Sequence, residues 1–116
     1  INKKNVFKGI HGDKNTWKLI SCVHGQCAAF IVDCRKNNKN FGKWEKFLLS
    51  GDDYFQILIP PNYGNSFLVL SDVAVYHYKQ SEYYKGIKNQ FTYKWNDPKI
   101  KLKINKKNII LSKRDS

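Results

Sequence analysis

Short runs of β-branched and aromatic residues recur along the chain and are separated by clusters of Gly, Asn, Asp and Pro. The runs follow one another at intervals of about 8 to 12 residues, a spacing typical of an all-β sandwich or barrel. No stretch shows convincing helical periodicity. The pattern predicts strands at Val6–His11, Trp17–Val23, Cys27–Asp33, Trp44–Leu49, Phe55–Ile59, Phe67–Leu70, Val73–Tyr78, Phe91–Trp95 and Ile100–Ile104.

Turn residues mark the predicted strand ends. His24-Gly25 is predicted to form a hairpin turn and Gly51-Asp52-Asp53 another, while Pro60-Pro61-Asn62 ends a strand because proline cannot donate to a ladder. About nine strands in one small domain favour a jelly roll or a related barrel, which is wide enough to hold a ligand. Within Val73–Tyr78, alternation places Ala74, Tyr76 and Tyr78 on one face, and the sequence leaves open whether that face is inside.

Length and composition limit the class of protein. With 116 residues and 41% hydrophobic residues, the chain is predicted to form one domain over residues 1–116. Its apolar runs are much shorter than the roughly 20 residues of a membrane span, so no membrane association is predicted. No secretory leader is visible, and three cysteines favour reduced thiols in a cytosol over a disulfide framework. We therefore expect a cytoplasmic protein.

The start of the chain suggests that a segment is missing. The sequence contains no Met and begins at Ile1 within an ordinary polar stretch. We therefore expect these residues to lack an N-terminal part of the protein.

The net charge of +12 permits more than one interpretation. Nearly all basic residues are Lys, which favours a solvated surface, with a basic site for a phosphate-bearing ligand as the second interpretation. A small β domain that binds nucleic acid through Lys and exposed aromatics such as Trp17, Tyr54 and Tyr83 is a third. We expect that the protein does not bind nucleic acid.

Few residues can carry chemistry. His11, His24 and His77 lack the spacing of metal ligands, and the segment Cys22 to Cys27 lacks a second ligand pair, so packed core cysteines are predicted and no metal. There is no glycine-rich phosphate loop and no nucleophile elbow. His11 lies between two nearby glycines, and taken alone it reads as a hydrogen-bonded structural residue.

Ten short segments in order change this interpretation. The segments are Gly9-Ile10-His11, Trp17-Lys18-Leu19, Val32-Asp33-Cys34-Arg35, Phe41-Gly42-Lys43-Trp44, Ile59-Pro60-Pro61, Leu70-Ser71-Asp72, Tyr78-Lys79, Tyr83-Tyr84, Trp95-Asn96-Asp97-Pro98 and Leu111-Ser112 with Asp115. Together they resemble the dTDP-4-dehydrorhamnose 3,5-epimerase family, whose members are nucleotide-sugar epimerases of the cupin superfamily. The resemblance covers nearly the whole chain and implies a cupin-type jelly roll.

The resemblance implies a mechanism and a set of catalytic residues. The substrate would be a nucleotide-diphosphate 4-keto-6-deoxy sugar, whose C–H bonds next to the ketone are acidic. By this resemblance His11 is the base and Asp115 its carboxylate partner, Tyr78 is the acid on the opposite face, and Lys18 lies near the developing enolate oxygen. No metal or redox cofactor is implied. A homodimer and a role in surface polysaccharide synthesis are implied as well.

Substrate-binding residues follow from the same resemblance. Lys8 stands where the family usually has Arg and would neutralise the diphosphate, with Tyr84 and Arg114 as further nucleotide contacts. Simple alternation would put Lys8 and His11 on opposite faces of a strand, so a shared site requires a bulge or twist at Gly9.

Several positions depart from the family pattern. Asp13 replaces a Gln after the catalytic His, and Asn65 replaces a second pocket His. Both variants are similar to those of relatives that act on GDP-linked 4-keto-6-deoxy-heptoses, which leaves dTDP and GDP sugars open as substrates. The family's N-terminal segment has no counterpart here, so a catalytically impaired nucleotide-sugar-binding remnant is the alternative to an active enzyme.

Overall fold

The computed structural model describes residues 1–81, 90–105, 107–112 and 115. Its strands are β1 (Asn2–Lys3), β2 (Phe7–Asp13), β3 (Lys18–His24), β4 (Gln26–Asp33), β5 (Trp44–Ser50), β6 (Ile57–Ile59), β7 (Tyr63–Val69), β8 (Val73–Gln80) and β9 (Gln90–Thr92). Among these residues there is no helix that is long and apolar enough to span a membrane.

The strands form two sheets with antiparallel pairing throughout. One sheet has the order β1-β8-β3-β6, and the other has the order β5-β4-β7-β2-β9. The prediction of an all-β jelly-roll architecture is confirmed. The first eight predicted strands each overlap an observed strand. The short β1 was missed because two polar residues carry no alternation signal, and it is defined only by its pairing with β8.

The predicted strand at Ile100–Ile104 is wrong. Lys101 has a φ of 56°, and the backbone N–H groups of Ile100 and Lys101 both donate to the carbonyl of Asp97, so the chain turns where a strand would have to extend. The alternation that suggested a strand has another cause. Ile100 and Leu102 are buried against the outer face of the five-stranded sheet.

The five-stranded sheet is therefore covered on both faces, and β4 shows it most clearly. Cys27 and Ala29 belong to the core between the two sheets, whereas Ala28, Phe30 and Val32 belong to a second core under the C-terminal segment. The sequence of a strand that is buried on both faces is an unbroken run of apolar residues, as it is in β4. The second core holds the C-terminal segment against the sheet, and this segment carries Asp115.

Candidate active site

An irregularity in β2 brings two side chains into one cavity. Lys8 pairs with Phe67 and His11 with Asn65, and the register shifts between the two pairs. Gly9 has a φ of 125°, and a Cβ atom at this position would collide with Ser66. Because of this shift, Lys8 and His11 both line one cavity, although simple alternation would put them on opposite faces of the strand.

The register of the sheet places three polar residues in one row. His11 on β2 is the direct partner of Asn65 on β7 and of Thr92 on β9. Directly opposed residues on neighbouring strands lie close enough for their side chains to interact. The Thr92 hydroxyl lies 3.2 Å from His11 Nδ1. Sequence reasoning missed Thr92, because its contact with His11 depends on strand pairing that no local pattern reveals.

The C-terminal segment delivers a buried carboxylate to His11. Ile110 forms a parallel bridge with Val6 just before β2, and the chain then reaches Asp115, whose side chain is only 2% exposed. Asp115 Oδ1 lies 2.9 Å from His11 Nε2 and has no other partner among the residues described. The predicted pairing of His11 with Asp115 is thus present in the structure.

The second carboxylate oxygen is held by hydrogen bonds. The Gly9 N–H donates to Asp115 Oδ2 at 3.3 Å, and the Ser112 hydroxyl donates to the same oxygen at 3.2 Å. Two lone pairs 2.9 Å apart would repel each other, so we assign the proton of the neutral His11 ring to Nε2. Nδ1 then carries the lone pair, accepts the Thr92 hydroxyl hydrogen and is the basic atom of the ring.

A cavity of about 550 Å³ opens beside this pair, between the two sheets. The five-stranded sheet contributes Lys8, His11, Asn65, Phe67 and Gln90, and the four-stranded sheet contributes Lys18, Tyr76, Tyr78 and Gln80. The inner face of β8 is therefore the one with Ala74, Tyr76 and Tyr78, which the sequence left open. The His11 imidazole and the two phenols lie on opposite walls, and this arrangement suits proton transfer on two sides of one ligand.

A hydrogen-bonded chain crosses the cavity wall. Lys18 Nζ donates to Asn65 Oδ1 at 3.4 Å, and Asn65 Nδ2 donates to the Tyr76 hydroxyl oxygen at 3.2 Å. The Tyr76 ring stacks on Phe67 with 4.1 Å between ring centroids. Burial raises the pKa of Tyr76, so its hydroxyl stays protonated at neutral pH. Tyr78, two residues along β8, is 54% exposed at the cavity wall.

The structure brings most of the predicted site residues together. His11, Asp115, Lys18, Tyr78, Lys8 and Asn65 all line the cavity. Asp13 is not in its wall, since its carboxylate accepts the Asn15 N–H at 2.8 Å in a local turn. Tyr84 and Arg114 lie outside the described residues. Tyr76 was seen in the sequence only as one member of an alternating face, because nothing local to β8 reveals the Asn65 contact.

The cysteines are packed core residues, as predicted. Cys22 and Cys27 are buried together between the sheets, and burial together with the neighbouring Cys22 raises the pKa of the Cys27 thiol to about 12. Burial likewise raises the pKa of Cys34 to about 12. No group of three or more potential metal ligands forms within the part of the chain that the structure describes.

Solved structures share this architecture and define its class. The chain superposes on dTDP-4-dehydrorhamnose 3,5-epimerase from Elizabethkingia anophelis with a TM-score of 0.88 and 32% identity, covering 98% of this chain and 65% of that one. It superposes on dTDP-6-deoxy-D-glucose-3,5-epimerase from Legionella pneumophila, solved in complex with dTDP-4-keto-L-rhamnose, with a TM-score of 0.87 and 30% identity, covering 97% and 61%. The fold is thus a cupin-type jelly roll with a cavity between its sheets.

Sequence comparison gives the family. The family model described as dTDP-4-dehydrorhamnose 3,5-epimerase matches residues 1–116, and the chain belongs to this family. It is 39% identical over 102 residues to dTDP-4-dehydrorhamnose 3,5-epimerase of Escherichia coli, which covers 85% of this chain and 55% of that protein. The chain spans about half the length of the curated relatives it matches.

Proposed function

We propose that the protein is a cofactor-independent 3,5-epimerase of a nucleotide-diphosphate 4-keto-6-deoxy sugar. The observation that carries the proposal is the buried His11–Asp115 pair, which shares one cavity with Lys18 and Tyr78. The imidazole and the phenol lie on opposing sheets, so a ring bound between them would be flanked by a base and an acid. Inversion next to a ketone needs these two groups and a stabilised enolate oxygen.

The proposed reaction begins at a C–H bond next to the C4 ketone. His11 Nδ1 takes the proton, and the electron pair of that bond moves into the ketone to give an enolate. The Asp115 carboxylate stabilises the imidazolium that forms, and Lys18 stabilises the enolate oxygen. The Tyr78 hydroxyl then gives its proton to the opposite face of the carbon. Solvent removes the proton from His11 and restores the one on Tyr78, so the net reaction is an isomerisation.

Lys8 supports the nucleotide-sugar part of the proposal. Lys8 lines the cavity together with His11, where its ammonium group can neutralise a diphosphate while the sugar reaches the base. A dTDP sugar is the substrate we propose first, because the Legionella pneumophila structure holds dTDP-4-keto-L-rhamnose. A GDP-linked heptose is the alternative substrate, and its support is the pair of variant positions Asp13 and Asn65.

Three further proposals rest on the family resemblance. They are a homodimer, a cytoplasmic location and a role in surface polysaccharide synthesis. Size-exclusion chromatography with light scattering tests the first, and a mass near 13.6 kDa would contradict it.

The proposed function is tested by deuterium incorporation from D2O into dTDP- and GDP-linked 4-keto-6-deoxy sugars, followed by NMR. Incorporation at C3 or C5 by the unmodified protein is expected, with the preferred sugar showing the faster rate. The Tyr78→Phe variant should lose inversion by about a hundredfold or more, because the acid is gone, while exchange with retention continues through His11. Tyr54→Phe, which removes a fully exposed hydroxyl, is the matched control and should be unchanged. No incorporation into any of these sugars would contradict the proposal.

A further inference from the structure

Tyr76 presents an unused hydrogen-bond donor at the cavity wall. Its hydroxyl oxygen accepts the Asn65 Nδ2–H at 3.2 Å, and its own hydrogen has no acceptor among the residues that the structure describes. Stacking on Phe67 fixes the ring, with 4.1 Å between centroids and 20° between planes. A rigid, partly desolvated hydroxyl of this kind is suited to donate a hydrogen bond to an acceptor on a ligand. Leaving such a group without an acceptor costs free energy.

Asn65 places this donor beside Lys18. One amide group holds both residues, since its oxygen accepts from Lys18 Nζ at 3.4 Å and its nitrogen donates to Tyr76 at 3.2 Å. The amide group is planar and rigid, so it fixes the Lys18 ammonium and the Tyr76 hydroxyl relative to each other. The Lys18 ammonium carries three N–H hydrogens, and Asn65 accepts one of them. The ammonium and the phenol can therefore donate to one ligand oxygen.

We propose that Tyr76 donates a hydrogen bond to the ketone oxygen of the substrate and strengthens that bond as the oxygen becomes an enolate. This assignment rests on the proposed function and adds a second donor to the one predicted from Lys18. Burial keeps the Tyr76 phenol protonated, so it serves as a donor, whereas the more exposed Tyr78 keeps the role of the acid. Preorganised donors aimed at developing charge contribute most where water is excluded.

The first test is a comparison of kinetics. Tyr76→Phe should lower kcat for deuterium exchange by about a hundredfold with little change in KM, because the donor acts mainly on the developing negative charge. Asn65→Ala keeps both donors but removes the amide that aligns them, so a smaller loss is expected. Equal kcat in Tyr76→Phe and the unmodified protein would overturn the proposal.

The second test reads the ketone directly and needs no turnover. In a His11→Asn background, the infrared C=O stretch of a 13C-labelled 4-keto sugar is measured in the bound state, with and without Tyr76→Phe. Removal of a donor to the carbonyl should raise the stretching frequency. A frequency that is the same in both variants would show that Tyr76 only supports Asn65, and would overturn the proposal.

The two tests separate this inference from the proposed function. If the unmodified protein exchanges no deuterium but binds the sugar with a C=O stretch that depends on Tyr76, the proposed epimerase function is contradicted. The proposed hydrogen bond from Tyr76 to the ketone is supported. If the unmodified protein exchanges deuterium and Tyr76→Phe changes neither kcat nor the C=O stretch, the proposed epimerase function is supported. The proposed hydrogen bond from Tyr76 to the ketone is contradicted.

Discussion

The space between the two sheets has an apolar end and a polar end, built on the same strands. Along the inner face of β3 the side chains run from Lys18 to Ile20 and Cys22, and along β7 they run from Asn65 to Phe67 and Val69. On β8 the order is reversed, from Ala74 to Tyr76 and Tyr78. The two-residue alternation is uninterrupted at both ends, and only the choice of side chain differs.

The difference indicates that the interior of this small domain is divided between stability and the proposed reaction. Ile20 and Val69 are fully buried and contribute stability through the removal of apolar surface from water. Lys18 and Asn65 occupy equivalent inward positions two or four residues away, but they leave a cavity and contribute little packing. Substitutions at the polar end should therefore affect the reaction, and substitutions at the apolar end should affect folding.

The largest effect is expected at the buried carboxylate. Asp115→Asn should lower the exchange rate by about a thousandfold to ten-thousandfold, because an amide can donate to His11 Nε2 and would then place the ring proton on the basic Nδ1. The rate is measured by deuterium incorporation under saturating sugar. A loss of less than tenfold in a folded variant would contradict the assigned pairing.

Lys18→Met tests the polar end of β3. The substitution keeps a long unbranched side chain and removes the charge beside the proposed enolate, so exchange should fall by about a hundredfold to a thousandfold. The free energy of unfolding, from urea denaturation, should change by less than about 1 kcal/mol, since a cavity-lining lysine packs little. A protein that unfolds readily after this change would show that Lys18 is structural.

Ile20→Ala is the matched test at the apolar end of the same strand. Ile20 is fully buried, so its truncation should lower the free energy of unfolding by about 3 kcal/mol. The variant that remains folded should exchange deuterium within about threefold of the unmodified protein. A selective loss of exchange, with unchanged stability, would contradict the division between the two ends.

The smallest effect concerns the buried thiols. Burial raises the pKa of Cys27 and Cys34 from 9.0 to about 12, so above pH 9 the folded state retains protons that the unfolded chain releases. Stability is therefore full below pH 9 and falls as the pH rises, by about 1 kcal/mol per thiol near pH 10. Urea midpoints between pH 8 and pH 10 measure the slope. Cys34→Ala should make the slope shallower, and an identical slope would contradict the assignment.

The sequence predicted most of the strands and the pairing of His11 with Asp115, for different reasons. Alternation and turn residues mark β2 to β8, because these depend on neighbouring residues. His11 and Asp115 are 104 positions apart, and their pairing was predicted only through the family resemblance. Ile100 to Ile104 misled the prediction because a segment that packs on a sheet face alternates as a strand does.

The contacts of Tyr76 and Thr92 could not be predicted from the sequence. The Thr92 contact depends on which residues face each other across paired strands, a register set by the irregularity at Gly9 and by the pairing of β2 with β7 and β9. The contact between Tyr76 and Asn65 crosses from one sheet to the other, so it depends on how the two sheets pack. Neither position has a local signal, since a tyrosine and a threonine are ordinary strand residues.

The most direct test of the account is the His11→Asn variant, measured for both deuterium exchange and stability in one preparation. The account predicts that exchange at C3 and C5 falls below detection, while the free energy of unfolding changes by less than about 2 kcal/mol, because His11 lines the cavity and the apolar end is untouched. Exchange that continues at the rate of the unmodified protein in a folded His11→Asn variant would contradict the claim that His11 is the base.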